Sequence, residues 1–420
     1  MHNLNDKNVT LISVGSTGDI LPYISLAIKL KEKGARVTLC SYVNYTELVQ
    51  NNNINFYPLS FDIKDFLKSE DIGKRFTKNF FKEMAALKKT LEPVFYRNFD
   101  ETWEASKNAD ILIYHPLVYN GLNLAEKLDI PAFLSAAVPV LAPTKDFTVP
   151  TFGYKDLGLL NKLSYLTLRL SLMPYHSIIN NWSVKKLGLK PYTPFKSPFK
   201  RNGKDIPILY SYSPALFPAA SDWKEHVNIS GYWFLNQQHY WKPSEELTQF
   251  INSGPPPIYI GFGSMPGTNT DKLTEIIIDT INLSKQRAIV ATGWGGLNKI
   301  ENTKNILCIE SAPHDWLFPR VSLIIHHGGS GTTAATLKFA KPSIICPFML
   351  DQFFWSKLLY KKGLSLKPLP QITLNSGQLV SFINETLKDN KIKENISNLS
   401  STINNEDGPE EAARFISSYL

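Results

Sequence analysis

The chain has 420 residues, of which 43% are hydrophobic, and it carries a formal net charge of +8. This length excludes a single ordinary core and predicts two domains of about 200 residues each. No apolar run approaches the roughly 20 residues of a membrane-spanning helix, the first residues do not read as a signal peptide, and no nucleic-acid-binding module is recognisable. We therefore expect a cytoplasmic protein whose basic surface is either simply solvated or attracted to anionic lipids.

The first half of the chain is typical of alternating strands and helices. Residues 9–14 predict a buried strand, 15–19 a turn, and 22–33 an amphipathic helix that ends before Gly34. Further strands are predicted at 36–40, 54–58, 111–114, 132–135 and 207–210. A strand, helix and strand at this short spacing indicate the opening of a parallel, doubly wound sheet.

A helix with one apolar face is predicted over residues 157–173. Basic residues at positions 162 and 169 interrupt it too often for a bilayer span. The helix fits a position over a binding pocket, on a lipid surface, or against the core. Apolar residues recur at helical spacing at Leu159, Leu163, Leu166, Leu170 and Met173.

The second half begins again after Gly254 and three prolines, which are typical of a domain entrance. Strands are predicted at 258–262, 287–291, 306–309 and 322–325, with a helix at 272–284. We therefore predict an α/β protein with two facing Rossmann-like domains at 1–235 and 236–405, followed by a terminal helix within 406–420.

The most informative loop follows the strand at 322–325 and continues through His326, His327, Gly328, Gly329, Ser330, Gly331 and Thr332. Its small residues permit a tight turn before a helix opens. The free N–H groups and positive dipole end of such a helix can hold a diphosphate, and an imidazole adds a further donor. The carboxylate of Asp351 and the amide of Gln352 suit a ligand rich in hydroxyls. Together the two segments indicate a nucleotide sugar.

Other kinds of site are disfavoured. A metal site is not expected, because the two histidines are adjacent rather than one helical turn apart, and no cysteine pair or nearby glutamate completes a ligand set. Cys40, Cys308 and Cys346 lie in apolar segments typical of buried thiols. Residues 328–332 lack the final glycine of a nucleophile elbow, and no P-loop motif occurs.

Five segments resemble the GT-B glycosyltransferases and, more narrowly, the sterol and antibiotic glucosyltransferase branch of the UDP-glycosyltransferase superfamily. They are GSTGDILP at 15–22, YIGFGSM at 259–265, PHDWLF at 313–318, HHGGSGTT at 326–333 and PFMLDQ at 347–352, in the family's order. The resemblance implies an inverting transfer of glucose from UDP-glucose to a lipophilic alcohol such as a sterol, terpenoid or polyketide, without a bound metal. It places the acceptor in the first domain and the donor in the second, with the terminal helix crossing back to the first.

The displacement needs a general base within hydrogen-bonding reach of the acceptor hydroxyl. The resemblance places this role on Asp19, the acid that this branch has where plant members have histidine, and its position at the carboxyl end of the first strand agrees. Capping of the following helix is the alternative role for Asp19. His115, after another strand end, either assists the base and lines the acceptor pocket or is structural.

The resemblance implies that His327 contacts the diphosphate, while Gly331 and Thr332 supply backbone donors. His326 is then a neighbour that packs inward or lines the cleft. The alternative for His327 is a purely structural loop histidine.

The sugar and base ends of the donor are also assigned by resemblance. Ser264 is implied near the diphosphate or the sugar, and Asp351 with Gln352 at the sugar hydroxyls; a turn serine and an N-capping aspartate are the alternatives. Where plant relatives stack a tryptophan on uracil, this chain has the segment ending in His314, so backbone groups near His314 are left to read the base. Trp294 either covers the nucleotide or is structural. UDP rather than TDP rests on the branch alone.

Two other functions remain open. One is a catalytically idle protein that binds a sugar nucleotide or a lipid and keeps the fold, and the other is a nucleotide-sugar epimerase. The presence of both Asp19 and His327 favours the transferase. Peripheral contact with a membrane is compatible with the basic charge and the helix at 157–173.

Overall fold

The computed structural model describes residues 4–61, 80–193, 199–238, 240–263, 270–293 and 297–420. Two parallel sheets organise these residues, one in each half of the chain. The predicted α/β class with two Rossmann-like domains is thereby confirmed. The sheets lie within residues 8–229 and 258–345, and the domain boundary at 235/236 stays a prediction.

The described part of the first half has nine strands: β1 (Asn8–Ile12), β2 (Arg36–Tyr42), β3 (Asn55–Leu59), β4 (Ile111–Tyr114), β5 (Ala132–Ala136), β6 (Lys200–Arg201), β7 (Lys204–Asp205), β8 (Ile208–Tyr210) and β9 (Val227–Ile229). Seven of them form one parallel sheet in the order β3-β2-β1-β4-β5-β8-β9, while β6 and β7 pair as an antiparallel hairpin. In β1 and β4 nearly every side chain is buried, as expected for a parallel sheet covered on both faces.

The second sheet contains β10 (Ile258–Gly261), β11 (Ala288–Ala291), β12 (Ile306–Ile309), β13 (Leu323–His326) and β14 (Ser343–Ile345). Its order is β12-β11-β10-β13-β14, and all of its pairs are parallel. In both sheets the strand order reverses beside the first strand, between β1 and β4 and between β10 and β13. Open sheets of this kind bind ligands outside the carboxyl ends of the strands at such reversals.

Helices connect the strands in both halves. In the first half they are α1 (Thr17–Glu32), α2 (Thr46–Gln50), α3 (Phe80–Ser106), α4 (Gly121–Leu128), α5 (Asn161–Ser164) and α6 (Leu166–Trp182). In the second they are α7 (Glu245–Asn252), α8 (Thr270–Ser284), α9 (His314–Leu317), α10 (Ser330–Lys338), α11 (Gln352–Lys361), α12 (Ser376–Lys388), α13 (Asn390–Asn404) and α14 (Gly408–Ser417). Among the described residues, none of the helices has the length and apolar character needed to cross a bilayer.

Three helices differ from the sequence predictions. Helix α1 begins at Thr17 rather than at residue 22, because Ser16 and Asp19 close a capping box before it. The amphipathic segment at 157–173 is divided into a 3₁₀ turn at Gly158–Leu160, then α5 and the first half of α6. Helix α3 was not predicted, because Pro93 lies inside it and proline normally indicates a helix boundary.

An aromatic seam joins the two halves. It consists of Phe147, Tyr212 and Phe217 of the first half and Phe354 and Trp355 of α11. The ring of Phe354 lies 5.2 Å from that of Phe217, and the ring of Trp355 lies 5.8 Å from that of Tyr212. Both α11 side chains are almost completely buried, so the core of the first half continues into the second.

The terminal helix α14 packs on the first half. Lys33 Nζ, just after α1, lies 2.6 Å from Glu410 Oε1, and the ring of Phe415 lies 6.3 Å from that of Phe133. Ile416 is fully buried in the core of the first half. The chain therefore returns to the domain in which it began.

Candidate active site between the two domains

The N-termini of α1 and α10 meet at one cleft. A Cβ atom on Gly331 would lie 3.5 Å from the Cα of Gly18, so the backbones of the two domains nearly touch there. Helix α1 follows β1, and α10 follows β13, at the strand reversals of the two sheets. The predicted base and the predicted phosphate loop are therefore neighbours.

Asp19 is held by its own helix terminus. Its Oδ2 accepts hydrogen bonds from Ser16 N at 2.8 Å and from Ser16 Oγ at 3.0 Å. Gly15 has φ +135°, and a Cβ atom at this position would clash with the Asp19 carboxylate. The side chain of Asp19 is still 33% exposed. Capping and exposure to the cleft therefore coexist in this residue.

His115 faces the other oxygen of Asp19. It follows β4, beside β1, and its Nε2 lies 3.5 Å from Asp19 Oδ1. Its Nδ1 accepts a hydrogen bond from Leu117 N at 3.3 Å, so the proton of the neutral ring is assigned to Nε2. Burial lowers the pKa of His115, although the charge of Asp19 acts in the opposite direction. The structure brings these two predicted residues together.

Glycines make room for the phosphate loop around His327. A Cβ atom on Gly263 would lie 2.8 Å from His327 Cε1, and one on Gly329 would lie 2.5 Å from its Nε2. Gly328 has φ +92°, and a Cβ atom there would lie 2.8 Å from Ile345 Cγ2. Only residues without side chains allow this close approach of backbone and imidazole.

The loop presents donors to an anion. Gly329 is the N-cap of α10 and no side chain caps the helix, so the first-turn N–H groups of Ser330, Gly331 and Thr332 remain available. Burial lowers the pKa of His327 to about 4, which keeps the ring neutral at pH 7. Its buried Nδ1 has no hydrogen-bond partner within the described residues. An unpartnered nitrogen beside a helix N-terminus suits a phosphate ligand.

His326 supports the loop from beneath. Its side chain is fully buried at the end of β13, and its Nδ1 accepts a hydrogen bond from Gly328 N at 3.1 Å. Burial lowers the pKa of His326 well below its ordinary value, with smaller contributions from His327 and His314. The sequence allowed His326 either to pack inward or to line the cleft, and in the structure it packs inward. Any contribution of His326 to donor binding is therefore indirect.

His314 lies at the first position of α9, close to the phosphate loop. Its ring stacks on Phe318 with a centroid separation of 4.2 Å. Burial lowers the pKa of His314 to about 4, and the nearby His327 adds to this effect. The imidazole is thus occupied by stacking, and a role of the neighbouring backbone in reading a nucleotide base stays a prediction. Ser264 and Trp294 lie outside the described residues.

Asp351 and Gln352 lie at the N-terminus of α11, as its N-cap and its first residue. Gln352 Oε1 accepts hydrogen bonds from Phe348 N at 2.9 Å and Met349 N at 3.2 Å, so its carbonyl shapes the preceding loop. Asp351 occupies the N-cap position, yet its side chain makes no capping hydrogen bond. Burial raises the pKa of Asp351 to about 7, and the charge of Asp19 adds to the shift. The two carboxylates therefore lie close enough across the cleft to interact.

A cavity of about 220 Å³ opens in the first domain. Pro116 and Leu117, which directly follow His115, belong to its wall. Most of the wall is apolar, with polar groups at Asn123, Arg169, His176 and Tyr192; the apolar part includes Leu122, Leu134, Val140, Leu141, Leu168 and Leu172. The sequence predicted an acceptor site in this domain but not these residues, because they come from five separate segments without a shared motif.

Two protein families match the halves of this molecule. The family 28 glycosyltransferase N-terminal domain matches residues 9–144, and the erythromycin biosynthesis protein CIII-like C-terminal domain matches residues 288–418. Both predicted domains thus have a counterpart among these families.

Curated relatives extend the similarity along the chain. Two sterol 3-beta-glucosyltransferases of Arabidopsis thaliana are 33% and 34% identical to it over 98% and 95% of its length. The UDP-sugar-dependent glycosyltransferase 52 of Dictyostelium discoideum is 32% identical over 98% of the chain. The chain spans 65%, 66% and 26% of the lengths of these relatives. The resemblance to the sterol and antibiotic branch is confirmed.

Solved structures share the architecture. The kitacinnamycin glycotransferase has a TM-score of 0.72 at 16% identity, covering 99% of this chain and 100% of the other. The calicheamicin glycosyltransferase CalG4 has a TM-score of 0.70 at 16% identity, covering 99% and 98%. The glycosyltransferase VinC in complex with dTDP has a TM-score of 0.63 at 14% identity, covering 98% and 100%. The GT-B fold predicted from the sequence is confirmed.

Proposed function

We propose that this chain transfers glucose from UDP-glucose to a hydroxyl of a lipophilic acceptor, with inversion at the anomeric carbon and without a bound metal. The meeting of Asp19 with the N-terminus of α10, through Gly18 and Gly331, is the observation that carries the proposal. A proton acceptor and an anion cradle at one cleft are what displacement at a nucleotide sugar requires. The sterol 3-beta-glucosyltransferase relatives support a sterol or similar alcohol as the acceptor.

Asp19 is the proposed general base. As the acceptor oxygen forms its bond to the anomeric carbon, its proton passes to the Asp19 carboxylate, and the bond between that carbon and the diphosphate breaks. Ser16 fixes Oδ2 through two hydrogen bonds. The neutral ring of His115 places Nε2 3.5 Å from Oδ1, which helps to hold the carboxylate in place.

The second domain is proposed to hold the donor. The N–H groups at the start of α10 and the imidazole of His327 meet the negative charge that grows on the departing UDP. The pKa of about 7 lets Asp351 donate or accept hydrogen bonds to glucose hydroxyls near neutral pH. The amide of Gln352 completes the proposed sugar site, and uridine is proposed because the branch uses it.

The cavity in the first domain is the proposed acceptor site. Its wall is largely apolar and includes the residues next to His115, whose Nε2 lies 3.5 Å from Asp19 Oδ1, and the hydroxyl of a bound lipid alcohol is proposed to lie at this end. Free thiols at Cys40, Cys308 and Cys346 support a reducing cytoplasmic location. Peripheral contact with a membrane is part of the proposal, since a lipophilic acceptor resides there.

The test is an incubation of the purified chain with UDP-glucose or TDP-glucose, with and without a mixture of sterols, followed by mass spectrometry. We expect a sterol hexoside and UDP release that depends on the sterol. Nucleotide binding without release of UDP would support the idle binding protein instead. A new sugar nucleotide formed without acceptor would support the epimerase. Preference for TDP-glucose over UDP-glucose would overturn the proposal that the nucleoside of the donor is uridine.

A further inference from the structure

An apolar face lies on the outside of the first domain, formed by α5, α6 and the turn before them. We call it the leucine face and define it by Leu159, Leu163, Leu166, Leu170 and Met173. Their exposed fractions are 97%, 56%, 47%, 60% and 42%. Spacings of three and four residues put them on one side of the helical segment. From the sequence, this pattern fitted a position over a binding pocket, on a lipid surface or against the core. The exposure of the five side chains excludes the position against the core.

The inner side of the same segment is anchored. Tyr165, Ile178, Ile179 and Trp182 are buried, and Trp182 Nε1 donates a hydrogen bond to Asp100 Oδ1 at 3.0 Å. The segment is therefore packed by one side while its other side presents large apolar side chains to solvent. Soluble surfaces rarely expose a contiguous apolar group of this kind without a binding function.

The charge of the segment that carries the leucine face indicates which kind of partner binds there. Residues 155–190 contain six basic residues and one acidic residue. The acidic residue, Asp156, accepts hydrogen bonds from Gly158 N and from Asn161 Nδ2, each at 2.8 Å. Lys155, Lys162 and Lys185 are exposed. Exposed apolar side chains on a segment with such an excess of basic residues fit a bilayer whose headgroups are anionic.

The leucine face and the acceptor cavity share a wall. Leu168, Arg169, Leu172 and His176 of α6 line the cavity, and Met173 belongs both to the cavity wall and to the exposed face. The cavity thus reaches the apolar surface at Met173. A helix lying in the headgroup region would bring this end of the cavity to the acyl chains.

We propose that the leucine face docks on an anionic bilayer and that the acceptor enters the cavity from the bilayer past Met173. The docking itself stands on the exposed apolar side chains and on the basic excess of their segment, while the loading route rests on the proposed function.

Sedimentation with vesicles tests the docking without any catalytic readout. We expect the full chain to bind vesicles of phosphatidylcholine with phosphatidylserine more tightly than vesicles of phosphatidylcholine alone. The double variant Leu163→Gln/Leu170→Gln should lose at least about tenfold in affinity, because one buried leucine already contributes more than a tenfold change. The matched control Leu283→Gln/Ile372→Gln removes side chains that are 62% and 83% exposed elsewhere, and it should bind normally.

A charge variant gives a second measurement. Lys162→Glu should weaken binding to anionic vesicles and leave binding to phosphatidylcholine unchanged. Unchanged vesicle binding by the leucine variant would overturn the docking. Self-association abolished by the same variant, with no vesicle binding, would overturn it in favour of a second copy of the chain.

The loading route is tested by delivering the same sterol in two ways. With sterol in vesicles, the leucine variant should show a raised apparent KM, and with sterol carried by cyclodextrin it should match the unaltered chain. Equal losses in both assays would overturn the route. An unaltered chain that docks but glucosylates neither preparation would refute the proposed function and leave the docking standing.

Discussion

Replacement of Asp19 by asparagine separates catalysis from helix capping. An asparagine oxygen can still accept the hydrogen bond from Ser16 N, now 2.8 Å long, so the free energy of unfolding should fall by less than about 1 kcal/mol. The amide cannot take a proton from the acceptor. Turnover should therefore fall by roughly 10² to 10⁴-fold, while UDP binding changes little.

Two companion variants make the comparison sharp. Asp19→Ala loses both hydrogen bonds from Ser16, which together contribute about 1–3 kcal/mol, so it should be as inactive as the asparagine variant and less stable. Ser16→Ala removes one of these bonds and keeps the carboxylate, so it should lose stability but retain most of its turnover.

The assay combines acceptor-dependent UDP release, urea unfolding and calorimetric UDP titration on the four proteins. Near-normal turnover of Asp19→Asn would refute the reasoning, because it would leave capping as the only role of this residue. A loss of turnover that followed the loss of stability across the series would refute it as well.

Three further predictions concern the donor side. His327→Ala should weaken UDP binding and lower turnover, since it removes a donor with a free buried nitrogen, and unchanged calorimetric affinity would contradict its phosphate role. Gly329→Ala should also weaken UDP binding although it keeps the imidazole, because the new Cβ would lie 2.5 Å from His327 Nε2 and displace the ring. Calorimetric titration of UDP checks this prediction, and a normal affinity would show that the ring can move aside. Burial raises the pKa of Asp351 to about 7, so its carboxyl binds a proton in the folded state that the unfolded chain releases above its ordinary pKa of 3.8. The burial of Asp351 therefore costs no stability below pH 3.8. The cost grows as the pH rises from 3.8 to about 7 and is constant above pH 7. Because the pKa rises from 3.8 to about 7, Asp351→Asn should raise the free energy of unfolding by up to about 4 kcal/mol at pH 8 and leave it nearly unchanged at pH 4, as urea titrations at both pH values would reveal. A gain of equal size at both pH values would contradict this cause.

The strands and the phosphate loop were predictable because their signals are local. Runs of isoleucine and valine specify buried parallel strands, and the glycines of 328–331 specify a tight turn into a helix. The closeness of Asp19 to the loop followed from the rule that ligands collect at the carboxyl ends of strands. The same rule would have joined His115 to Asp19, since β1 and β4 are neighbours, had the strand order been known.

Other features depend on contacts between distant segments. The exposure of Leu163 and Leu170 was not decided by their spacing, because a helical apolar pattern is equally compatible with core packing. The shifted pKa of Asp351 depends on its burial and on Asp19, more than 300 positions away. The inward position of His326 likewise depends on burial between β10 and β14, with which its strand pairs.

The aromatic seam limits how the two domains can separate. Phe354 and Trp355 follow Gln352 by two and three residues, and both are buried against the first domain. Withdrawing the Asp351–Gln352 pair from the first domain would expose these rings, at a cost of several kcal/mol. Gly18 and Gly331, which meet between α1 and α10, have no side chains to bury at their contact. Opening of the cleft should therefore pivot about the seam, so that the glucose end of a donor stays beside the acceptor half while the diphosphate end swings free first.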